Sequence, residues 1–172
     1  MRLLGDIEET TARKVLGDID AALANGARSL RVEIGSHGGS VPWGLTLHNY
    51  LASLRVPVTT VNVGFASSMA AVVYCAGTRR WCAPHAKFLL HPATAFADDA
   101  ANQTRGRLRE RLMGLEVDCT NLASILAQAT GRSLRQVEKD LAGRLVLDAR
   151  SARDYGLVHR ITRRFAGTTH RP

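Results

Sequence analysis

Apolar positions along this chain recur with a period that switches between two and about 3.6, and each switch marks a change from strand to helix. In "SLRVEI" the apolar Leu30, Val32 and Ile34 alternate with polar neighbours, as in a strand with one buried face. The preceding "TTARKVLGDIDAALANG" sets Val15, Leu16, Ile19, Ala22 and Leu23 three and four apart, which predicts a helix with Thr at its start and Asn25-Gly26 at its end. "VPVTTVNVG" is a continuous β-branched run and predicts a buried strand, while "SSMAAVVYCAG" after it is apolar on every side and predicts a buried helix. "RLLGDI", "RRWCAP" and "KFLLH" read as short strands. Strands and helices thus alternate, the order expected of an α/β layer structure.

Between Thr104 and Thr130 the residues Leu108, Leu112, Leu115, Cys119, Leu122 and Leu126 form a helical stripe of about seven turns. A helix of that length must project from a domain this small or lie across it. Gly131 is placed to cap it, and Ser133-x-x-Gln136 has the pattern of a capping box for the next helix. The closing "RLVLDARSARDYGLVHRI" reads strand, short helix, strand. The loop "GSHGGSVPWG" follows "SLRVEI" directly; adjacent glycines let backbone approach a ligand or adopt positive φ, and Pro42 suits the first turn of the helix "VPWGLTLHNYLASL".

At 172 residues the chain has room for one domain around one core, and 45% hydrophobic with 22% charged residues is an ordinary globular composition. The start "MRLLGDIEET" lacks the apolar region of a secretory signal, and no run approaches the roughly 20 apolar residues of a membrane span, so a cytoplasmic protein without membrane association is expected. Cys75, Cys82 and Cys119 form no CxxC pair and suit reduced thiols, and the six scattered histidines offer no metal-binding spacing, so neither a metal nor a cofactor is expected. The net charge of +8 would attract polyanions. Its excess is diffuse, however, with the densest runs "RGRLRER" on a predicted helix and "RITRRFAGTTHRP" at the tail, so a solvated face and a basic terminus are the expectation rather than nucleic-acid binding.

Candidate chemistry gathers where the buried strand gives way to the buried helix. A Ser at that junction lies near unpaired backbone N–H groups, a place suited to a developing oxyanion, although Ser67 or Ser68 would serve equally as a simple helix cap. A nucleophilic serine needs a base, and His91 ends the apolar strand "KFLLH". The Gly38-Gly39 loop offers a further backbone donor.

Taken together, "GSHGGSV", "GFASSMAA" followed by "AG", "FLLHP" and "LDARSARDYGLV" resemble the proteolytic subunit of the Clp protease, the ClpP-like serine peptidases of the ClpP/crotonase superfamily, from about Leu3 to Ile161. The resemblance implies an α/β fold of ClpP/crotonase type, a repeated ββα spiral with a long protruding handle helix at about 104–130. It implies a single domain over 1–163 and a basic, disordered tail at 164–172. It places Ser68 on the nucleophile, His91 on the general base, and Met69 and Gly39 on the oxyanion-hole donors, with Ser67 on a small alanine and Gly38 completing the turn. The activity implied is serine-type endopeptidase cleavage of peptides or unfolded proteins, in a homo-oligomeric ring whose handle helices pack two rings together, with an ATP-dependent unfoldase as the further partner.

The departures are as specific as the matches. Arg144 stands where the family has the aspartate that orients the histidine, so the third triad member is unassigned. Asp140 falls on a different family acid and Asp148 on the residue that starts the closing helix; Asp98 or Asp99, in the loop after His91, is an alternative. His37 replaces the proline of the Gly-Gly loop, Gly35 replaces its asparagine, and the segment after His91 lacks the glutamine and glycines that pair a substrate peptide as an added strand. The chain also begins at the first core strand, without the family's axial-gate segment. Two other readings therefore accompany the peptidase: a catalytically weak or inactive assembly subunit, and a crotonase-type acyl-CoA-binding protein.

Overall fold

The computed structural model describes residues 1–94 and 104–165, so Asp98, Asp99 and the tail beyond Phe165 lie outside the described residues. The strand and helix alternation is realised as β1 (Arg2–Leu4), α1 (Glu9–Ala24), β2 (Leu30–Ser36), α2 (Val41–Ser53), β3 (Val58–Ser67), α3 (Met69–Cys75), β4 (Arg79–Cys82), β5 (Lys87–Leu90), α4 (Arg105–Thr130), α5 (Leu134–Ala142), β6 (Leu145–Asp148), α6 (Ala149–Asp154) and β7 (Arg160–Ile161). Among the described residues no helix is long and apolar enough to cross a membrane.

The strands run in the order β1-β2-β3-β4-β7, all parallel, with β5 and β6 off this path. The branch arises within β3. Its first half, Thr59–Asn62, pairs with β4, and its second half, Phe65–Ser67, pairs with β5, which in turn pairs antiparallel with β6. A buried asparagine holds the point of divergence: Asn62 Nδ2 donates to the Lys87 carbonyl at 2.8 Å, Asn62 Oδ1 accepts from the Gly64 N–H at 3.0 Å, and its carbonyl accepts from Ala83 N–H at 2.9 Å. These bonds satisfy backbone groups that the splitting ladder would otherwise leave unpaired. The result is a mixed α/β structure with a largely parallel sheet and one long helix, as expected of the ClpP type.

Helix α3 is buried along its whole length, as its unbroken apolar sequence requires. Tyr74 ties it to the sheet, donating from its hydroxyl to the Trp81 carbonyl at 3.1 Å and packing edge-on against Phe88 with centroids 5.1 Å apart. Helix α2 crosses it where Gly44 leaves room for Met69; a Cβ at Gly44 would stand 2.5 Å from the Met69 Cε.

Several boundaries differ from the sequence expectations, each for a local reason. Helix α1 begins at Glu9 rather than at Thr, with Thr10 and Thr11 inside its first turn and Glu8 making no side-chain cap bond. Strand β2 continues through Gly35 to Ser36, because the residues after its half-buried part still pair with β3 across a register shift. The capping box at α5 is half formed: Ser133 accepts from the Gln136 N–H, but the Gln136 side chain turns forward to Asp140 at 2.7 Å instead of back to the cap. On α4 the stripe divides. Leu122 and Leu126 are 1% exposed, whereas Leu108 and Leu112 at the other end are 52% and 56% exposed, beside exposed Met113 and Val117.

Candidate active site

The Gly38-Gly39 loop is clamped by the connection between β1 and α1. The Ile7 N–H donates to the Gly38 carbonyl at 2.7 Å and the Ile7 carbonyl accepts from the Ser40 N–H at 2.8 Å, so a short bridge clamps the loop from outside. Buried Ser36 holds it from within, its Oγ accepting from the Gly38 N–H at 3.1 Å. Both glycines have positive φ, 105° and 141°. Neither tolerates a side chain: a Cβ at Gly39 would lie 2.4 Å from the Ile7 carbonyl oxygen, and one at Gly38 would lie 2.8 Å from the Ser68 Cβ. The glycine pair is therefore what allows this loop to lie against Ser68. His37, in the position of the family's proline, stacks on Phe65 of β3 with ring centroids 4.2 Å apart.

Ser68 sits between the end of β3 and the start of α3 with φ 54° and ψ −128°. A non-glycine residue in such a conformation costs about 1–3 kcal/mol and persists only when its surroundings enforce it. Here the Ser68 N–H donates to the Leu89 carbonyl of β5 at 2.8 Å, its carbonyl accepts from Ala71 N–H at 2.9 Å, and Gly38 packs on its Cβ. Although Ser68 occupies the cap position of α3, its side chain makes no capping bond, so the simple cap reading fails. Its hydroxyl is left half-buried beside the loop. Met69, the first residue of α3, carries one of the N–H groups that no helical carbonyl can reach. Ser67, by contrast, ends β3 and is buried.

His91 follows β5 immediately, two residues beyond the Leu89 that anchors Ser68. Its Nδ1 lies 2.7 Å from the Pro92 carbonyl. A carbonyl only accepts, so Nδ1 is the donor in this contact, which in a neutral imidazole leaves Nε2 as the acceptor, the tautomer a general base requires. Among the described residues no hydrogen bond joins the Ser68 hydroxyl to His91. The structure thus sets Gly38 against Ser68 and Met69, keeps Gly39 beside Ile7 as the next residue of the same loop, and sets His91 at the adjacent strand end without engaging it.

The acids weighed from the sequence are occupied elsewhere. Asp140 accepts from the Tyr155 hydroxyl at 2.8 Å and from Gln136, and Asp148 caps α6 by accepting from the Ser151 N–H at 2.7 Å. That bond holds the Asp148 carboxyl below its ordinary pKa. Arg144 precedes β6 with φ 54° and an exposed side chain. The ladder ends at the pair Leu90 with Leu145, so one further step would set Arg144 opposite His91. Apart from the Ser36 Oγ, the orienting contacts, the carbonyls of Pro92 and Leu89 and both polar groups of Ile7, belong to the backbone. No residue type announces them in a sequence.

Beside Gly39 opens a cavity of about 700 Å³, lined by Ile7, Val41, Pro42 and Trp43 and reaching Thr94 and Asp118 of α4. Burial pushes the Asp118 carboxyl up from its ordinary pKa. Asp118 gives no signal in the sequence, because a lone acid on a long polar helix does not stand out until the fold turns it towards a cavity.

Comparison with known proteins bears on this arrangement. The family described as Clp protease matches residues 1–165. The ATP-dependent Clp protease proteolytic subunit 3 of Rhizobium etli is 32% identical over 161 residues, covering 92% of this chain and 81% of that protein. The ATP-dependent Clp protease proteolytic subunit of Oltmannsiellopsis viridis is 30% identical over 162 residues, with 92% and 81% covered. That of Carsonella ruddii is 27% identical over 161 residues, with the same shares covered. With the match running from the first residue through the last described one, this chain belongs to the Clp protease family.

Proposed function

We propose that the chain is a serine endopeptidase that cleaves peptide bonds through an acyl-enzyme on Ser68, with His91 as general base. The observation that carries this reading is Ser68 itself, a non-glycine residue at φ 54° that caps nothing and lies against the Gly38-Gly39 loop. In the reaction, Ser68 Oγ attacks the substrate carbonyl carbon while His91 Nε2 takes its proton. The N–H groups of Met69 and Gly39 receive the oxyanion. Collapse of the tetrahedral species breaks the C–N bond, and the leaving amine takes the proton from Nε2; water then repeats the sequence on the ester.

The Pro92 carbonyl performs one part of the missing aspartate's work and not the other. It fixes the tautomer, but as a neutral acceptor it stabilises the imidazolium less than a carboxylate does, and the position of Arg144 adds a positive charge on that side. Loss of the orienting aspartate costs about 10⁴ in turnover in other serine triads, so a slow peptidase is expected. The relatives' names, ATP-dependent proteolytic subunits, support peptide or unfolded-protein substrates and an ATP-driven partner. The exposed apolar end of α4 supports assembly into a ring oligomer.

Hydrolysis of a fluorogenic peptide by the assembled protein tests the reading. Ser68→Ala abolishes the activity, and Arg144→Asp raises it by about tenfold or more by returning a carboxylate to that side of His91. A second reading, an assembly subunit without catalysis, is favoured by Arg144 alone. It predicts no hydrolysis to lose and an oligomer size unchanged by Ser68→Ala.

A further inference from the structure

We propose that the cavity beside Gly39 is a specificity pocket in which Asp118 receives a cationic side chain next to the scissile bond, so that the peptidase prefers lysine or arginine there. The inference rests on the peptidase reading and adds a substrate class to it. Position is the first argument. The cavity is bounded by Gly39 and Ser40 of the loop that lies against Ser68 and by Thr94, three residues past His91. Since Gly39 is shared by the proposed oxyanion site and the cavity wall, a substrate carbonyl held on the Gly39 N–H would bring a neighbouring side chain within reach of this space.

Lining is the second argument. Ile7, Val41, Pro42 and Trp43 give the cavity an apolar wall that would accept a long methylene stem, and Asp118 presents a carboxylate to it. Asp118 is partly desolvated, and among the described residues no ion pair or hydrogen bond engages it. Its neighbours one helical turn away on α4, Gly114, Leu115, Asn121 and Leu122, are uncharged. An ammonium or guanidinium arriving in the cavity would supply the compensation that the fold does not.

Charge around the rim points the same way. Asp6 and Glu8 line the cavity without an ion pair among the described residues, while Glu9 is bound to Arg13 at 2.7 Å, whose guanidinium lies 5.3 Å from the Trp43 ring. Arg13 thus offsets Glu9 and leaves the carboxylates of Asp6, Glu8 and Asp118. On a chain of net charge +8 this is an acidic recess beside the proposed reaction centre, unsuited to an acidic side chain.

The test is a panel of fluorogenic peptides that differ only in arginine, lysine, leucine or glutamate before the cleaved bond, read as kcat/KM on the assembled protein. Arginine and lysine peptides should exceed the leucine peptide by about 10- to 100-fold, the size of one charge-assisted hydrogen bond. Asp118→Asn should bring the arginine-to-leucine ratio towards one, and Asp118→Lys should turn the preference towards glutamate. An arginine-to-leucine ratio at or below one, or a ratio unchanged in both variants, overturns the inference. Fluorophosphonate labelling of the wild-type protein separates the two levels. Labelling of Ser68 without a basic preference removes the pocket assignment alone, whereas neither labelling nor hydrolysis removes the peptidase reading and the pocket with it.

Discussion

Ser68 and Gly38 show how much of the site depends on single backbone conformations. Positive φ at Ser68 holds its hydroxyl off the cap position, and the cost of that strain is met by the Leu89 and Ala71 hydrogen bonds and the glycine loop packed on its Cβ. Replacing Ser68 by glycine keeps the conformation and removes the strain, so Ser68→Gly should raise unfolding stability by about 0.5–2 kcal/mol in a denaturant titration. A conventional serine cap would show the opposite sign, since removing a capping side chain destabilises a helix. Legibility at this scale was uneven. The family resemblance pointed to Ser68, Met69, Gly39 and His91, but the groups that surround Ser68 and His91 in the structure are mainly backbone atoms. Pro92 could not be chosen from sequence, because any residue after His91 has a carbonyl.

Helix α4 shows where element-scale reading succeeds and where it stops. Periodicity predicts the helix from Thr104 to Thr130, and the structure begins it one residue later because Thr104 serves as its cap, accepting from Arg107 N–H. Periodicity could not reveal that the stripe divides into a half packed on this chain and a half exposed, since both halves have the same spacing. Leu122→Ala should therefore destabilise the fold by about 2–5 kcal/mol, whereas Leu112→Ala should leave the stability of the isolated chain within about 0.5 kcal/mol, both read by chemical unfolding. The contact between α2 and α3 carries a pH dependence of its own. Burial holds His48 below its ordinary pKa of 6.5, with the Val72 carbonyl at 2.9 Å from Nδ1 opposing in part. A lowered histidine pKa means that the unfolded chain binds the extra proton. The contribution is present in full above pH 6.5 and is lost as pH falls through the folded value, with a slope of at most about 1.4 kcal/mol per pH unit. Thermal melts between pH 7.5 and pH 5 should show this loss, and His48→Gln should reduce it.

For the whole molecule, the α/β order was legible because nearly every element obeys one period and ends at a glycine, proline or hydroxyl residue. The division of β3 between β4 and β5 was not, because it depends on which neighbours a buried strand meets along its length. The exposed end of α4 and the acidic recess became visible only with the fold assembled. For the assembled molecule, the proposed function requires that a strained serine, a backbone-oriented histidine and two backbone donors act together as a slow nucleophilic centre. Incubation of the assembled protein with a fluorophosphonate probe, followed by peptide mapping, measures this directly. Covalent modification is expected at Ser68, absent in Ser68→Ala and strongly reduced in His91→Ala. An assembled oligomer that stays unmodified at Ser68, or that is modified at the same rate without His91, would contradict it.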